Sequence, residues 1–376
     1  MKRVIVLGST GSIGTSALDI IKNNRDDFEV VAISANTNEK DLLKQAESFN
    51  VKNIALSGKI PESDKIRFTG LHSITQIIEE TEADIVVNGI SGAVGMAPSV
   101  AALKSGKDLA LANKETMVMA GPLIKILAEK HRSLILPVDS EHSALFYLME
   151  GKKREQIDEI IITASGGPFR GYNKEQLENV TAAQAMKHPT WDMGYKISID
   201  SASLANKGLE VIEAWRLFDI SLDKIKVLVH RQSYVHSIIR TTDMAMYAQI
   251  SNPDMRLPIQ NALYYPAMKA VPSTFLDLAG KDLSFTKPDE ENFPMLSLAY
   301  KAAESEGSYP IVYNAVNEVA VQALVDGKIR FTGIAELTEE MLKLDWAHTA
   351  QSFDEVLEID QKARLEAEKV IKVKNK

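Results

Sequence analysis

The feature that most restricts the fold of this chain is an alternation, over residues 1–140, of short β-branched runs with helical patterns. Several of the runs are apolar on both faces, which is typical of parallel strands covered by helices on each side. The runs are VIVLG (4–8), EVVAIS (29–34), NIALS (53–57), DIVVN (84–88), DLALAN (108–113) and SLILPV (133–138). Six such strands with intervening helices predict an α/β fold with an N-terminal doubly wound, Rossmann-type parallel sheet.

The pattern changes after residue 150 and predicts a mixed α+β region followed by helices. The stretch 252–294 is rich in proline and weakly periodic, so its later part is interpreted as a linker. Four helical patterns follow from residue 295 and predict a C-terminal helical bundle, the fourth opening with a capping box at 352–355. The strand signals of the α+β region lie at 157–165, 225–230, 234–243 and 244–251.

Gly8, Gly11 and Gly14 follow the first run and open the first helical pattern. Glycines at such a turn let backbone N–H groups approach a pyrophosphate, whose charge the helix N-terminus stabilises. The spacing G-x-x-G-x-x-G is looser than the standard fingerprint, and a tight turn without a ligand is the alternative interpretation. Its position after the first strand of a parallel sheet favours a dinucleotide site.

The end of the second run indicates which dinucleotide binds. NAD sites usually carry a carboxylate about 20 residues after the glycines, whereas this chain has Asn36, Thr37 and Asn38 there. Three short polar side chains do not repel a 2′-phosphate and can donate hydrogen bonds to it. This favours NADP, although without an arginine at the turn NAD stays open.

Composition excludes several classes of function. The chain has 51 acidic and 43 basic residues, so nucleic acid is not expected as a partner, because there is no basic surplus to release phosphate counterions. No stretch approaches the roughly 18 apolar residues of a membrane span, so no membrane partner is expected and a cytoplasmic location is the default. The chain has no cysteine, which leaves oxygen or histidine as the ligands for any metal.

Polar side chains also stand where later runs end. Asn113, Lys114 and Glu115 follow the fifth run, at the sheet edge where doubly wound proteins bind ligands. Asp139 and Glu141 follow the sixth run two residues apart, so on an extended backbone their side chains point the same way. A surface turn and a helix N-terminus are the simpler interpretations of the two groups.

A third polar cluster lies within 188–215. On a helix across this segment, Asn206, Lys207 and Glu210 gather on the face opposite the apolar stripe. The alternative is a solvated face with a Lys207–Glu210 pair. The nearby His188 and Trp191, in a loop that is a poor core element, favour a ligand site with a lid.

Asp139, Glu141 and Glu210 together form a set of three hard oxygen donors. Such a set suits Mg²⁺ or Mn²⁺ rather than zinc. A cation held there would polarise a ketone and a neighbouring hydroxyl group of a substrate. The serines of this region, with Asn206 and Lys207, can bind a phosphate group.

These stretches together resemble the 1-deoxy-D-xylulose 5-phosphate reductoisomerase family over essentially the whole chain. The resemblance implies an enzyme that isomerises 1-deoxy-D-xylulose 5-phosphate and reduces it with NADPH to 2-C-methyl-D-erythritol 4-phosphate, in isoprenoid biosynthesis. It implies a homodimer that binds a small phosphorylated sugar and one divalent cation, Mg²⁺, Mn²⁺ or Co²⁺. The motifs that carry it are GSTGSIG, LANKE, PVDSEHSA, TASGGPF, HPxWxMGxKISxDSAxxxNKGLExIEA and NAVNEVAVxAL.

The family pattern also implies domains and site residues. The metal ligands fall on Asp139, Glu141 and Glu210, and a flexible loop at about 187–197 places Trp191 over the substrate. The expected domains are an NADPH-binding domain at 1–141, a catalytic and connective domain at 142–264, a linker at 265–288 and a C-terminal helical domain at 289–376. Catalytic roles are expected for Lys114, Glu141, His188 and Trp191. Substrate contacts are expected at Lys114, Ser140, Glu141, Ser165, His188, Ser201, Asn206, Lys207 and Glu210. Cofactor contacts are expected at Thr10, Gly11, Ser12, Ile13, Asn36, Thr37, Asn38, Asn113, Glu115, Met193 and Gly194.

One departure from the family pattern concerns the cofactor. After the second strand the family commonly has Ala-Gly-basic-Asn, whereas this chain has Ala-Asn-Thr-Asn at 35–38. We keep NADPH as the expected cofactor and expect a smaller preference for NADPH over NADH than a basic residue would give.

Two other functions compete with this interpretation. A plain NADP dehydrogenase would need a cysteine nucleophile, which is absent, or a catalytic set without three carboxylates. A non-catalytic NADP-binding sensor would have no need of the metal cluster.

Overall fold

The computed structural model describes residues 1–191, 193–270 and 273–374. The chain folds into two compact units, each assembled from separate segments. The first unit comprises Met1–Thr116, Ile124–Ser143 and Asp254–Thr274. The second comprises Met117–Leu123, Ala144–Pro253 and Phe275–Lys376.

The first unit is built on a seven-stranded, entirely parallel sheet in the order β4-β3-β2-β1-β5-β6-β7. Its central strands are buried on both faces, as their continuous apolar runs predict. The strands are β1 (Lys2–Leu7), β2 (Phe28–Ala35), β3 (Asn53–Leu56), β4 (Phe68–Thr69), β5 (Ile85–Asn88), β6 (Asp108–Leu111) and β7 (Ile135–Pro137).

The carboxyl ends of these parallel strands meet at one edge of the sheet. The order reverses at β1, whose neighbours are β2 and β5, and open α/β sheets bind ligands at such a switch point. The ends of β1 and β5 lie so close together there that a Cβ added to Gly8 would be 3.1 Å from the Gly89 carbonyl oxygen. This edge therefore receives the polar residues that follow β1, β2, β6 and β7.

The second unit contains a four-stranded mixed sheet in the order β11-β10-β8-β9. β8 pairs parallel with β9 and antiparallel with β10, which pairs antiparallel with β11. A large apolar core joins this sheet to helices from the same unit. The strands are β8 (Ile157–Ala164), β9 (Ile225–Val229), β10 (Val235–Thr241) and β11 (Met246–Ile250).

Among the described residues, helices connect most strands of the parallel sheet and four helices follow residue 294, as the sequence pattern predicts. They are α1 (Ser12–Lys22), α2 (Glu39–Phe49), α3 (Ser73–Glu80), α4 (Met96–Lys104), α5 (Lys114–His131), α6 (Ser140–Met149), α7 (Lys174–Glu178), α8 (Ala182–Ala185), α9 (Tyr195–Ser203), α10 (Ala205–Phe218), α11 (Arg256–Tyr264), α12 (Met295–Glu304), α13 (Tyr309–Val325), α14 (Gly333–Leu342) and α15 (Phe353–Lys374). Across residues 1–191, 193–270 and 273–374, none of them combines the length and apolarity that crossing a bilayer would require.

The structure differs from the sequence pattern in one strand, in one helix and in the division of the chain. β4 has only two residues, too few to give a periodic signal. α11 lies within the proline-rich stretch and belongs to the first unit, although it is distant in sequence from the rest of that unit. The predicted division into four consecutive segments thus differs from the two discontinuous units, and the functional domains at 1–141, 142–264, 265–288 and 289–376 stay a prediction.

Candidate active site

The turn after β1 forms an open cradle of backbone N–H groups. Gly11 is the N-cap residue of α1, and Ser12 begins the helix in an exposed position. Gly14 is needed for close packing, because a Cβ there would lie 2.3 Å from the Ser9 Cα. The helix N-terminus is positive and its first residues are uncharged, so the predicted contacts at 10–13 lie on a surface suited to an anion.

The turn after β2 exposes the side chains of Asn36 and Thr37. The Asn38 side chain accepts a hydrogen bond from the Asp41 backbone N–H at 3.2 Å and thereby caps α2. Its structural role accounts for an asparagine at this position. The next residue, Glu39, is buried and accepts hydrogen bonds from the backbone N–H groups of Glu62 and Ser63.

Asn113 and Glu115, at the end of β6, are almost fully buried. The Asn113 side-chain amide donates to the carbonyl oxygens of Ile90 and Gly92, at 2.8 and 2.9 Å. Glu115 accepts a hydrogen bond from the Gly92 backbone N–H at 3.0 Å. These two predicted cofactor residues therefore fix the loop that follows β5.

Asp139 and Glu141 occupy the start of α6 rather than an extended backbone. The Ser143 N–H donates to the Asp139 carbonyl oxygen at 2.8 Å, which is the first hydrogen bond of the helix. The extended-backbone interpretation was wrong, because the strand ends at Pro137 and α6 begins at Ser140.

The helical start nevertheless brings the two carboxylates together. An Asp139 oxygen and a Glu141 oxygen lie within 4.8 Å of each other. Asp139 forms an ion pair with the buried Lys114 ammonium, and Glu141 accepts a hydrogen bond from the Ser140 hydroxyl at 2.6 Å. Four predicted residues of the first unit thus form one charged cluster.

Ser165 and His188 are in direct contact in the second unit. The Ser165 hydroxyl oxygen lies 2.9 Å from His188 Nε2. Gly166 and Gly167 follow with positive φ angles, and a Cβ on Gly167 would lie 2.7 Å from the Ser201 carbonyl oxygen. The Ser-Gly-Gly turn after β8 is therefore packed directly against the segment that carries Ser201, and a phosphate site there stays a prediction.

His188 also holds the backbone of the predicted lid. Its Nδ1 accepts hydrogen bonds from the backbone N–H groups of Thr190 and Trp191, at 3.1 and 2.9 Å. Burial and the nearby Arg170 guanidinium lower the pKa of His188 to about 4. The ring is therefore neutral near pH 7, with its proton on Nε2 facing Ser165.

Trp191 lines an open pocket of about 370 Å³ that its own loop forms with Ser198. Its indole is only partly buried, with the ring centroid 6.4 Å from that of His236. Met193 lines the same pocket, and Gly194 is the exposed N-cap residue of α9. Asp192, which the predicted loop includes, lies outside the described residues.

The polar face of α10 is buried rather than solvated. Lys207 is 4% exposed and Glu210 is 1% exposed. The Asn206 side-chain amide donates to Glu210 at 2.6 Å, and the Lys207 ammonium forms a close ion pair with the same carboxylate. The simpler interpretation of a surface pair is therefore wrong.

Sequence reasoning did not select two buried titratable residues near these clusters. Glu213 lies one turn after Glu210 on α10 and is 1% exposed, and His142 lies in the first turn of α6 and is fully buried. For Glu213 the signal was the E-x-x-E spacing, which places both carboxylates on one face. For His142 it was the position next to Glu141 at the end of a buried strand.

Comparisons with known proteins identify the family. A family model described as 1-deoxy-D-xylulose 5-phosphate reductoisomerase matches residues 4–121, and models of its C-terminal domains match 135–218 and 250–366. A reductoisomerase of this name from Treponema denticola is 47% identical over 375 residues, 96% of this chain and 95% of the relative. One from Desulfitobacterium hafniense is 44% identical, covering 99% of this chain and all of the relative.

The chain belongs to this family. Among solved structures, the reductoisomerase from Zymomonas mobilis in complex with NADPH is 40% identical, with a TM-score of 0.90 over 98% of this chain and 99% of the other. A DOX-P reductoisomerase in complex with NADPH, fosmidomycin and magnesium is 34% identical, with a TM-score of 0.92 over 99% of each chain. The family, the enzyme class and the fold class predicted from the sequence are confirmed.

Proposed function

We propose that the residues described above carry out the reaction of the family to which the chain belongs. The enzyme is an NADPH-dependent reductoisomerase: with one divalent cation it isomerises 1-deoxy-D-xylulose 5-phosphate and reduces it to 2-C-methyl-D-erythritol 4-phosphate, a step of isoprenoid biosynthesis. The observation that carries the proposal is family membership over nearly the full length of both chains.

The first unit supplies the cofactor site in this proposal. The backbone N–H groups at 10–13 bind the pyrophosphate of NADPH at the positive end of α1. Asn36, Thr37 and Asn38 face the adenosine ribose and its phosphate. Asn113 and Glu115 shape the site by fixing the loop at 90–92. Met193 and Gly194 are assigned to the nicotinamide end.

Asp139, Glu141 and Glu210 are the proposed cation ligands. All three donors are carboxylates, and hydrogen bonds or ion pairs already orient them within their own units. This donor chemistry fits a hard divalent cation. A divalent cation bound there supplies Lewis-acid polarisation of the ketone and hydroxyl oxygens of the substrate.

The second unit supplies the phosphate site. Ser165, Ser201, Asn206 and Lys207 donate hydrogen bonds to the substrate phosphate, and the buried Lys207 supplies the compensating positive charge. The neutral His188 donates a hydrogen bond from Nε2, and binding and positioning of the phosphate are the roles proposed for it.

Lys114 and the lid complete the proposed mechanism. The Lys114 ammonium stabilises negative charge that develops on the substrate oxygens, since its partner Asp139 is next to the reacting groups. Ser140 orients Glu141, which relays a proton between the substrate oxygens. Trp191 covers the substrate and excludes water while fragments of the substrate are held together.

A homodimer is the proposed assembly. β11 is an edge strand, and its Met246, Tyr247 and Ile250 side chains are 51%, 45% and 38% exposed. Exposed apolar side chains on a sheet edge favour pairing with a second copy about a two-fold axis. A cytoplasmic location is inferred as well, because phosphorylated sugars and NADPH are metabolites of the cell interior.

The absorbance of NADPH provides the direct test. We expect it to fall when 1-deoxy-D-xylulose 5-phosphate and Mg²⁺ are added, to stay constant in EDTA, and to fall again when excess Mg²⁺ is restored. In Asp139→Asn the Mg²⁺ concentration for half-maximal rate should rise at least about tenfold. The surface variant Asp26→Asn is the matched control. NADPH oxidation that persists in EDTA would contradict the metal role.

A further inference from the structure

The loop at 57–63, which follows β3, is bound to the turn after β2. The Gly58 N–H donates to the Asn36 carbonyl oxygen at 2.8 Å, and the Ser57 N–H donates to the Ala35 carbonyl oxygen at 3.2 Å. A Cβ on Gly58 would lie 1.9 Å from Asn36 Oδ1, so the glycine leaves the space that the Asn36 side chain occupies. The loop is therefore part of the surface that the adenosine end of a dinucleotide meets.

The loop at 57–63 places a lysine beside the turn at 36–38, which contains no basic residue. Lys59 Nζ lies 2.9 Å from Glu39 Oε2, in the first residue of α2. The Glu39 carboxylate also accepts hydrogen bonds from the Glu62 and Ser63 N–H groups at 2.8–3.1 Å, so it ties both ends of the loop to the helix. Lys59 remains about one-third exposed.

We infer that Lys59 is the cation that binds the 2′-phosphate of NADPH. In doubly wound domains the end of the second strand reaches the ribose 2′ position, and a nearby basic residue accommodates the phosphate. Asn36, Thr37 and Asn38 offer only uncharged donors at this position. Glu39 acts as a positioning residue that holds the ammonium at the turn.

The inference includes a second residue that opposes binding. Glu62 is exposed, and its carboxylate lies 3.3 Å from Lys59 Nζ. It therefore competes with the phosphate for the same ammonium and adds a repulsive negative charge. The balance between the Lys59 and Glu62 charges sets the preference for NADPH over NADH. This inference rests on the proposed cofactor role of the first unit.

Binding measured by calorimetry, with NADPH, NADH and 2′-AMP as probes, tests the inference without turnover. Lys59→Met should weaken NADPH and 2′-AMP about tenfold or more, the loss expected for one charge-assisted hydrogen bond, and should leave NADH unchanged. Glu62→Gln should strengthen NADPH a few-fold. In the Lys59→Met background the gain from Glu62→Gln should be smaller, because competition for the Lys59 ammonium is gone and only the direct repulsion of the phosphate by Glu62 remains.

Two further lysines make the experiment discriminating. Lys52→Met, before β3, is the matched surface control and should bind like wild type. If Lys40→Met loses NADPH selectively while Lys59→Met does not, the inference is overturned. Equal losses of NADPH and NADH in Lys59→Met would overturn it too. Failure of the wild type to bind NADPH would instead overturn the proposed cofactor.

Discussion

His188 joins substrate recognition to lid geometry through its two ring nitrogens. Nε2 faces Ser165, while Nδ1 accepts two backbone N–H groups of the loop that carries Trp191. Only the neutral ring can make both sets of contacts. Losing the Nδ1 lone pair to a proton would therefore release the loop.

This arrangement predicts a pH dependence. The pKa of His188 is lowered from 6.5 to about 4, so its folded-state contribution is complete above about pH 6.5 and is lost as the pH falls through about 4. We expect Trp191 fluorescence to change with a midpoint near pH 4. In His188→Asn, which retains an acceptor near Nδ1 but does not titrate, the transition should disappear. A midpoint near 6.5 in the wild type would contradict the prediction.

Glu210 is the residue on which the cation proposal depends most. Glu210→Gln preserves volume and the contact with Asn206 but removes the charge. We expect kcat to fall at least about 100-fold and the Mg²⁺ requirement to rise, since a cation ligand is lost. Circular dichroism should show a retained fold. Near-wild-type turnover at saturating Mg²⁺ would exclude Glu210 as a ligand.

At the scale of elements, α10 is positioned by a single glycine. A Cβ on Gly208 would lie 2.7 Å from the Ala299 side chain of α12 and would clash with the buried Tyr313 hydroxyl of α13. The close approach of these helices in the second unit fixes the axial position of Lys207 and Glu210. Gly208 therefore supports the site without touching it.

Gly208→Ala should therefore destabilise the enzyme. Alanine favours an isolated helix by roughly 1 kcal/mol, but overpacking of a filled core costs about 1–3 kcal/mol, and here the nearest atoms belong to two other helices. We expect a lower urea midpoint with an unchanged m-value. A higher midpoint would mean that α10 can shift to accommodate the methyl group.

At the scale of the whole chain, local patterns predicted most strands and the glycine turn after β1. Both signals, a continuous apolar run and a group of closely spaced glycines, lie within a few neighbouring residues. They did not predict that Lys207 and Glu210 are buried, since burial of a polar face depends on what packs over it. The prediction that Asp139 and Glu141 lie on an extended backbone failed, because α6 begins at Ser140. α11 joins the first unit through contacts made far away in sequence, which periodicity does not encode.

The assembly gives a prediction at the same scale. Replacing Met246 and Ile250 of the edge strand by lysine should convert a dimer into a monomer, because charged edge residues prevent strand pairing. Sedimentation velocity measures the change directly. Met244→Lys, in the exposed turn before β11, is the control and should stay dimeric. A wild type that sediments as a monomer would refute the dimer.

Seven strands that all run in one direction have a consequence for inheritance. The residues gathered at their common edge come from stretches of gene separated by whole helices, and each stretch contributes one small patch of the surface. Recombination or drift within one stretch can thus change the side chains of a single patch, while the strands that carry the neighbouring patches stay unchanged. In such a scaffold, substitutions that change cofactor choice can arise independently of substitutions that change the metal ligands.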